Sequence, residues 1–230
     1  MIKTIAFDAD DTLWENEQFY QLTEKQFQAL LSDHADKEQL SKRLLAAEKR
    51  NLATYGFGIK GFVLSMIETA IEVTDGQVST DTISKILAIG RDLLGHPIEL
   101  LEGAREVLDE LADRYTLILI TKGDLFDQER KIAQSGLAEK FAAIEIVPDK
   151  SAAVYRRIFS QRAAEPEATV MVGNSLKSDI VPVLEVGAWG VFVPHALTWS
   201  IEHTDTPVEH ERFKQIDSMR DLPGLLSRMP

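Results

Sequence analysis

Residues 5–14 read Ile-Ala-Phe-Asp-Ala-Asp-Asp-Thr-Leu-Trp, an apolar run that stops at Asp8 and continues through Asp10, Asp11 and Thr12. Carboxylates this close repel one another, and they are tolerated only in solvent or where a cation and hydrogen-bond donors hold them. One reading is an acidic turn behind an edge strand. The other is a divalent-metal site in which one aspartate attacks and another handles a proton. Ile5-Ala6-Phe7 has the make-up of a buried strand, and ligands of open α/β sheets sit beyond the carboxyl ends of the strands. The second reading therefore puts the carboxylates where a ligand belongs.

Three later stretches carry side chains that such a site could use. The apolar run Thr116–Ile120 leads into Thr121-Lys122-Gly123-Asp124. There a hydroxyl and nearby backbone N–H groups could meet a phosphoryl oxygen, or Thr121 could simply cap the next helix. Lys150 follows Val-Pro-Asp and is expected to open a helix, where a cation opposes the helix dipole; it is either a solvated neighbour of Asp149 or has another task. Residues 173–180 read Gly-Asn-Ser-Leu-Lys-Ser-Asp-Ile, which is either an Asn-Ser turn capping a helix or a source of oxygen ligands in Asn174 and Asp179.

Positioning these groups requires elements that end close together. From residue 98 onward apolar segments of strand length (116–120, 142–147, 169–172, 191–193) alternate with helical spacing at 104–112, 126–135, 152–162 and 180–186. Strands apolar along their whole length argue a parallel sheet covered on both faces. Residues 195–216 read as an irregular polar tail, followed by a short helix at 222–226. Between residues 15 and 94 the spacing is helical throughout. Phe19, Leu22, Phe27, Leu30 and Leu31 fall on one face, Leu40, Leu44 and Leu45 on a second helix, and Val63, Met66, Ile67, Ala70 and Ile71 on a third. A fourth helix begins at Ser79 or Thr80 and carries Ile83, Ile86, Leu87 and Leu94.

The chain has 230 residues, enough for one α/β domain with an insertion. A net charge of −12 argues against a broad nucleic-acid interface, although one local cation or metal could still bind a small anion. There is no cysteine, which excludes disulfides, thiolate metal sites and a cysteine nucleophile. No apolar run has the length of a signal peptide core or a membrane span, so a soluble, cytoplasmic protein is expected.

Taken in order, the four signals resemble the motifs of the haloacid-dehalogenase superfamily. Asp8, Asp10 and Thr12 match its D-x-D-x-T, Thr121 its second-motif hydroxyl, Lys150 its third-motif lysine, and residues 173–180 its Gly-Asp-Ser-Leu-x-x-Asp-Ile. Lys122 stands where many relatives carry Asn, and Asn174 replaces a carboxylate that usually binds the metal. The resemblance implies a doubly wound, Rossmann-like parallel α/β core (residues 1–14 and 97–230) and a helical cap (residues 15–96). The implied activity is a Mg²⁺-dependent phosphatase of the superfamily acting on a small phosphorylated metabolite, without nucleic-acid or membrane partners.

In that scheme Asp8 is the nucleophile and becomes an aspartyl-phosphate. Asp10 is general acid and then general base. Thr121, with Lys122 and Gly123, binds the phosphoryl group, and Lys150 neutralises Asp8. The metal falls to Asp8, the Asp10 carbonyl, Asn174 and Asp179, with a neutral Asn174 weakening it. An acid two residues after the nucleophile favours a phosphatase over a dehalogenase, because halide leaves without a proton. A phosphomutase and a catalytically weak binding protein are the alternatives.

Gly56-Phe57-Gly58-Ile59-Lys60-Gly61 spells a dinucleotide fingerprint but lacks the strand that must precede one. Lys60 is instead a candidate contact for the substrate's leaving group, or part of a plain interhelix turn. His203 and His210 read as surface residues, and Trp14 as a packing residue.

Overall fold

The computed structural model describes residues 1–230, which form two compact units: Met1–Glu17 with Ile98–Pro230, and Gln18–Pro97. The first contains a six-stranded parallel sheet of order β3-β2-β1-β4-β5-β6. The strands are β1 (Thr4–Phe7), β2 (Thr116–Lys122), β3 (Ala143–Val147), β4 (Thr169–Gly173), β5 (Trp189–Phe192) and β6 (Phe213–Gln215). β1 is central. Its Phe7 pairs with Leu119 on one side and Val172 on the other, so the chain leaves β1, β2 and β4 at one edge. This is the Rossmann-like α/β arrangement implied by the sequence.

Alternation along the strands explains why both faces are covered. Ile5, Phe7, Leu117, Leu119, Val170 and Val172 point into one core, with Val107, Leu108 and Leu111 of the helix Ala104–Ala112. Ala6, Ile118, Ile120 and Met171 point into the other, against Tyr155, Ile158 and Phe159 of the helix Ala152–Gln161.

The second unit is all helical: α1 (Glu17–Leu30), α2 (Lys37–Tyr55), α3 (Ile59–Val73) and α4 (Thr80–Leu94). In chain order, Ala104–Ala112 is then α5, Leu125–Ser135 α6, Ala152–Gln161 α7, Val181–Glu185 α8 and Leu222–Leu226 α9. Its core joins Phe27, Leu31, Leu40, Leu44, Phe62, Met66, Ala70 and Ile86. Asp36 caps α2 and Ser79 caps α4, each accepting a backbone N–H three residues on. Gly90 lets α3 and α4 touch, since a Cβ there would lie 2.4 Å from Val63 Cγ2. No helix is long and apolar enough to cross a membrane.

Several local expectations change. Leu22, Ile71 and Leu87, placed by spacing on buried faces, are exposed at 52%, 45% and 40%, because the helical stripe is narrower than the apolar set. Lys150 does not open a helix. It sits in the loop just before Ser151, the cap of α7, so the conflict with the dipole disappears. The tail contains β6, whose one fully apolar residue, Phe213, gave no strand pattern.

The helix expected at 180–186 is α8, and a wide π turn not anticipated from the sequence, Leu176–Ile180, leads into it. Pro182 explains the need for help there. It has no N–H to give the carbonyl of Ser178, and the buried Tyr155 hydroxyl donates to that carbonyl instead, at 3.0 Å.

Candidate active site

The segment after β1 is a tight turn built on one carbonyl. Asp8 N–H continues the sheet by donating to Val172 O at 2.9 Å. Ala9 O then receives the N–H groups of Thr12, Leu13 and Trp14 at 3.2, 2.8 and 3.4 Å. Asp11 takes the left-handed conformation, with φ at 57°. Its carboxylate accepts from Asn16 N (2.8 Å) and Glu17 N (3.0 Å), so local hydrogen bonds support the strained residue. The turn folds Thr12 back under Asp8, and Thr12 Oγ1 lies 3.1 Å from Asp8 Oδ2.

Lys150 is buried between two carboxylates. Its Nζ donates to Asp8 Oδ1 in a short contact and to Asp179 Oδ1 at 2.7 Å. Asp179 is in turn fixed by Ser175 N, which donates to Oδ2 at 2.9 Å. Gly173 makes room for this carboxylate, because a Cβ there would lie 2.3 Å from Asp179 Oδ2. Burial, and then the negative charge of Asp179, push Asp8 up to about 7, against the pull of Lys150. Burial also opposes the charge on Lys150, but Asp179 and Asp8 hold its ammonium above the ordinary lysine range. Two carboxylates share one ammonium, leaving the trio short of positive charge.

Asn174 stands at the same point. Its backbone N–H donates to Thr12 Oγ1 at 3.1 Å, and one end of its carboxamide lies 3.1 Å from that hydroxyl and 3.2 Å from both Asp8 Oδ2 and the Asp10 carbonyl. With its nitrogen turned inward, the amide donates to all three. With its oxygen turned inward, it adds a hard oxygen donor beside Asp8 Oδ2 and the Asp10 carbonyl, a chemistry that suits a divalent cation. The donor set thus fits the metal implied by the motifs. Asp179, the other ligand candidate, accepts from Lys150 on Oδ1 and from Ser175 N on Oδ2.

Asp10 is held by groups not anticipated from the motifs. Trp14 Nε1 donates to Oδ1 at 2.7 Å, Gln128 Nε2 to Oδ2 at 2.8 Å, and Lys131 Nζ to both oxygens at 3.0 and 3.1 Å. Burial works against its charge, yet Lys131, Gln128 and Trp14 together hold it below the usual carboxylate range. Trp14 is thus fully buried packing and a hydrogen-bond donor at once. Gln128 and Lys131 lie three residues apart on α6, directly after the Thr121 turn, and that spacing on one helix face is the signal that could have found them. Gln128 Oε1 is buried with no hydrogen-bond partner.

The remaining candidates differ. Thr121 is buried near the end of β2, beside β1. Gly123 does not aim its N–H at a ligand; it donates to Val147 O at 3.2 Å. Its φ of 152° and missing side chain make room for Gln128, whose Nε2 would lie 2.8 Å from a Cβ. Lys122 Nζ reaches Glu202 Oε1 at 2.6 Å and Ser178 Oγ at 2.9 Å. Burial opposes the charge of Glu202, but Lys122, Ser175 and Ser178 hold its carboxyl down at about 2. Glu202 lies 80 residues from Lys122 in an irregular stretch, and nothing in the sequence marks it. Lys60 is exposed in the first turn of α3, in the helical unit. Outside the cluster around Asp8, Asp11, Glu15 and His195 bring ligand-type atoms within 4.8 Å of one another.

With this geometry in view, comparison with known proteins is decisive at the level of family. The model of the haloacid dehalogenase-like hydrolases matches residues 2–187. The chain belongs to that family. No match is found among curated proteins. Among solved structures, a haloacid dehalogenase-like family hydrolase from Xanthomonas campestris is 42% identical, with a TM-score of 0.89 over 99% of this chain and 91% of that one. A putative hydrolase of the superfamily, YfnB from Bacillus subtilis, solved with magnesium, is 17% identical, with a TM-score of 0.67 over 98% of each chain. L-2-haloacid dehalogenase from Xanthobacter autotrophicus, with chloropropionic acid covalently bound, is 15% identical, with a TM-score of 0.70 over the whole of both chains. The last two share the fold. The family is one of hydrolases, and solved structures that share the fold include a haloacid dehalogenase and a phosphatase from Thermococcus onnurineus.

Proposed function

We propose that this hydrolase cleaves the phosphate monoester of a small metabolite through an aspartyl-phosphate on Asp8, with Mg²⁺ as cofactor. The observation that carries the reading is Asp10, a carboxylate two residues beyond the nucleophile. Cleavage of a phosphate ester needs a proton delivered to the leaving alkoxide, whereas halide departs without one.

Asp8 attacks phosphorus, and the P–O bond to the leaving group breaks as the Oδ–P bond forms. Lys150 offsets charge on Asp8 and on the phosphoryl oxygens, and Asp179 keeps that ammonium in place. Thr12 holds a hydroxyl beside the reacting carboxylate, and Thr121 is assigned to the phosphoryl oxygens. Asp10, held as an anion by Lys131, Gln128 and Trp14, is in the state needed to accept a proton from the attacking water. To deliver one to the leaving alkoxide, it must first leave Lys131 and be protonated. A divalent cation held by Asp8, the Asp10 carbonyl and Asn174 would offset the repulsion between nucleophile and phosphate. The helical unit, which contains Lys60, serves in this reading as the cap that selects the leaving group.

The test compares an aryl phosphate with an alkyl phosphate, with and without Mg²⁺. Wild type turns over both with Mg²⁺, and Asp8→Asn neither. Asp10→Asn loses about 10²–10⁴-fold on the alkyl ester, and less on the aryl ester, whose leaving group needs little protonation. Halide release from a 2-halo acid, with no phosphate released from either ester, would sink the proposal.

A further inference from the structure

Lys122, Ser175 and Ser178 surround the carboxylate of Glu202. We infer that these three residues form a binding site for the carboxylate group of a small organic acid, which the chain fills here with its own side chain. Lys122 Nζ donates to Glu202 Oε1 at 2.6 Å; Ser175 Oγ donates to Oε2 at 2.6 Å, and Ser178 Oγ makes a second, short bond to the same oxygen. A cation on one oxygen and two hydroxyls on the other is how a protein holds a free carboxylate.

The donors are organised without Glu202. Ser175 Oγ accepts from Ser178 N at 3.0 Å, and Lys122 Nζ donates to Ser178 Oγ at 2.9 Å, so each is oriented by another member of the set. They stand on the end of β2 and on the π turn after β4, elements fixed by the sheet and by the Tyr155 bond. Glu202, in contrast, ends a three-residue 3₁₀ turn, Ser200–Glu202, in an otherwise irregular segment. The site is built into the scaffold and its occupant is carried on a loop.

Position gives the site its meaning. Lys122 follows Thr121, Ser175 follows Asn174, and Ser178 precedes Asp179, so all three donors are chain neighbours of the cluster around Asp8. A ligand carboxylate exchanged for Glu202 would lie beside that cluster, which makes an acid group on the substrate the natural occupant. The substrate assignment rests on the reaction proposed for Asp8; the binding site itself does not.

The decisive experiment measures binding and not turnover. Glycolate is titrated by calorimetry into wild type, Glu202→Ala, Glu202→Gln and the double variant Glu202→Ala/Lys122→Met, with ethylene glycol as the uncharged control. Glu202 acts as a tethered competitor at an effective concentration on the order of millimolar, so its removal tightens glycolate binding roughly tenfold or more. The Gln variant gives a smaller gain and carries the test if the Ala variant does not fold. Lys122→Met in the Ala background cancels the gain, and ethylene glycol shows none. The inference is overturned if neither Glu202 variant gains affinity, or if the gain survives loss of Lys122. A positive result without ester turnover would leave the binding site standing and remove the phosphatase reading.

Discussion

Replacing Lys150 by Met tests the electrostatic centre of the site. The side chain is buried and touches both Asp8 and Asp179, the latter at 2.7 Å. At an effective dielectric of about 20, a unit pair at that separation attracts by roughly 6 kcal/mol before desolvation is subtracted. Removing one partner of such a buried group typically costs about 3–5 kcal/mol, because the remaining charge has lost its counter-ion. Here two carboxylates are left facing each other, so one must bind a proton at neutral pH. For a chain of this size, a loss of about 3–5 kcal/mol lowers the melting temperature by roughly 6–20 °C. All three tryptophans, Trp14, Trp189 and Trp199, lie in the α/β unit, so intrinsic fluorescence reports its unfolding. Adding Asp179→Asn to Lys150→Met leaves a single carboxylate, abolishes that repulsion and recovers part of the loss, a coupling that distant sites do not show. A loss below about 1 kcal/mol, or a double variant no more stable than the single one, would refute the reasoning.

Further outcomes follow from single contacts. Gly173→Ala puts a methyl 2.3 Å from Asp179 Oδ2 and forces that carboxylate off Lys150. It costs about 1–3 kcal/mol in urea unfolding and lowers any Mg²⁺-dependent turnover, and full activity in this variant would contradict the role given to Asp179. The Glu202 carboxyl is held down at about 2 in the folded protein, against an ordinary 4.5. A depressed carboxylate adds stability that is present above the unfolded value and lost as pH falls through the folded one. Wild type should exceed Glu202→Gln by about 3 kcal/mol at pH 7 and by less than about half of that at pH 3, read from urea midpoints. An equal difference at both pH values would disprove the ion pair's contribution.

The sheet and the ends of β1, β2 and β4 were legible because parallel strands are apolar along their whole length and the residues just past them were chemically conspicuous. Asp8, Lys150 and Asn174 could be named from the chain, but not the geometry that joins them. Spacing placed Lys150 in a helix, whereas its reach into the site depends on its lying before the cap at Ser151. Gln128 and Lys131 went unread because a helical face shows its direction only once its neighbours are known. Glu202 could not be read at all, since the pairing with Lys122 exists only after β4, β5 and the following loop have folded. Leu22, Ile71 and Leu87 show the converse error: hydrophobicity places a residue near a face but does not decide which side chains the face covers.

The left-handed Asp11 ties the reactive turn to the start of α1 through the N–H groups of Asn16 and Glu17. The turn after Asp8 and the strap leading out of the α/β unit are therefore one mechanical piece. A twist applied to that strap pulls on residue 11 and, through its peptide, on Asp10. Whatever moves the exit of this chain moves Asp10.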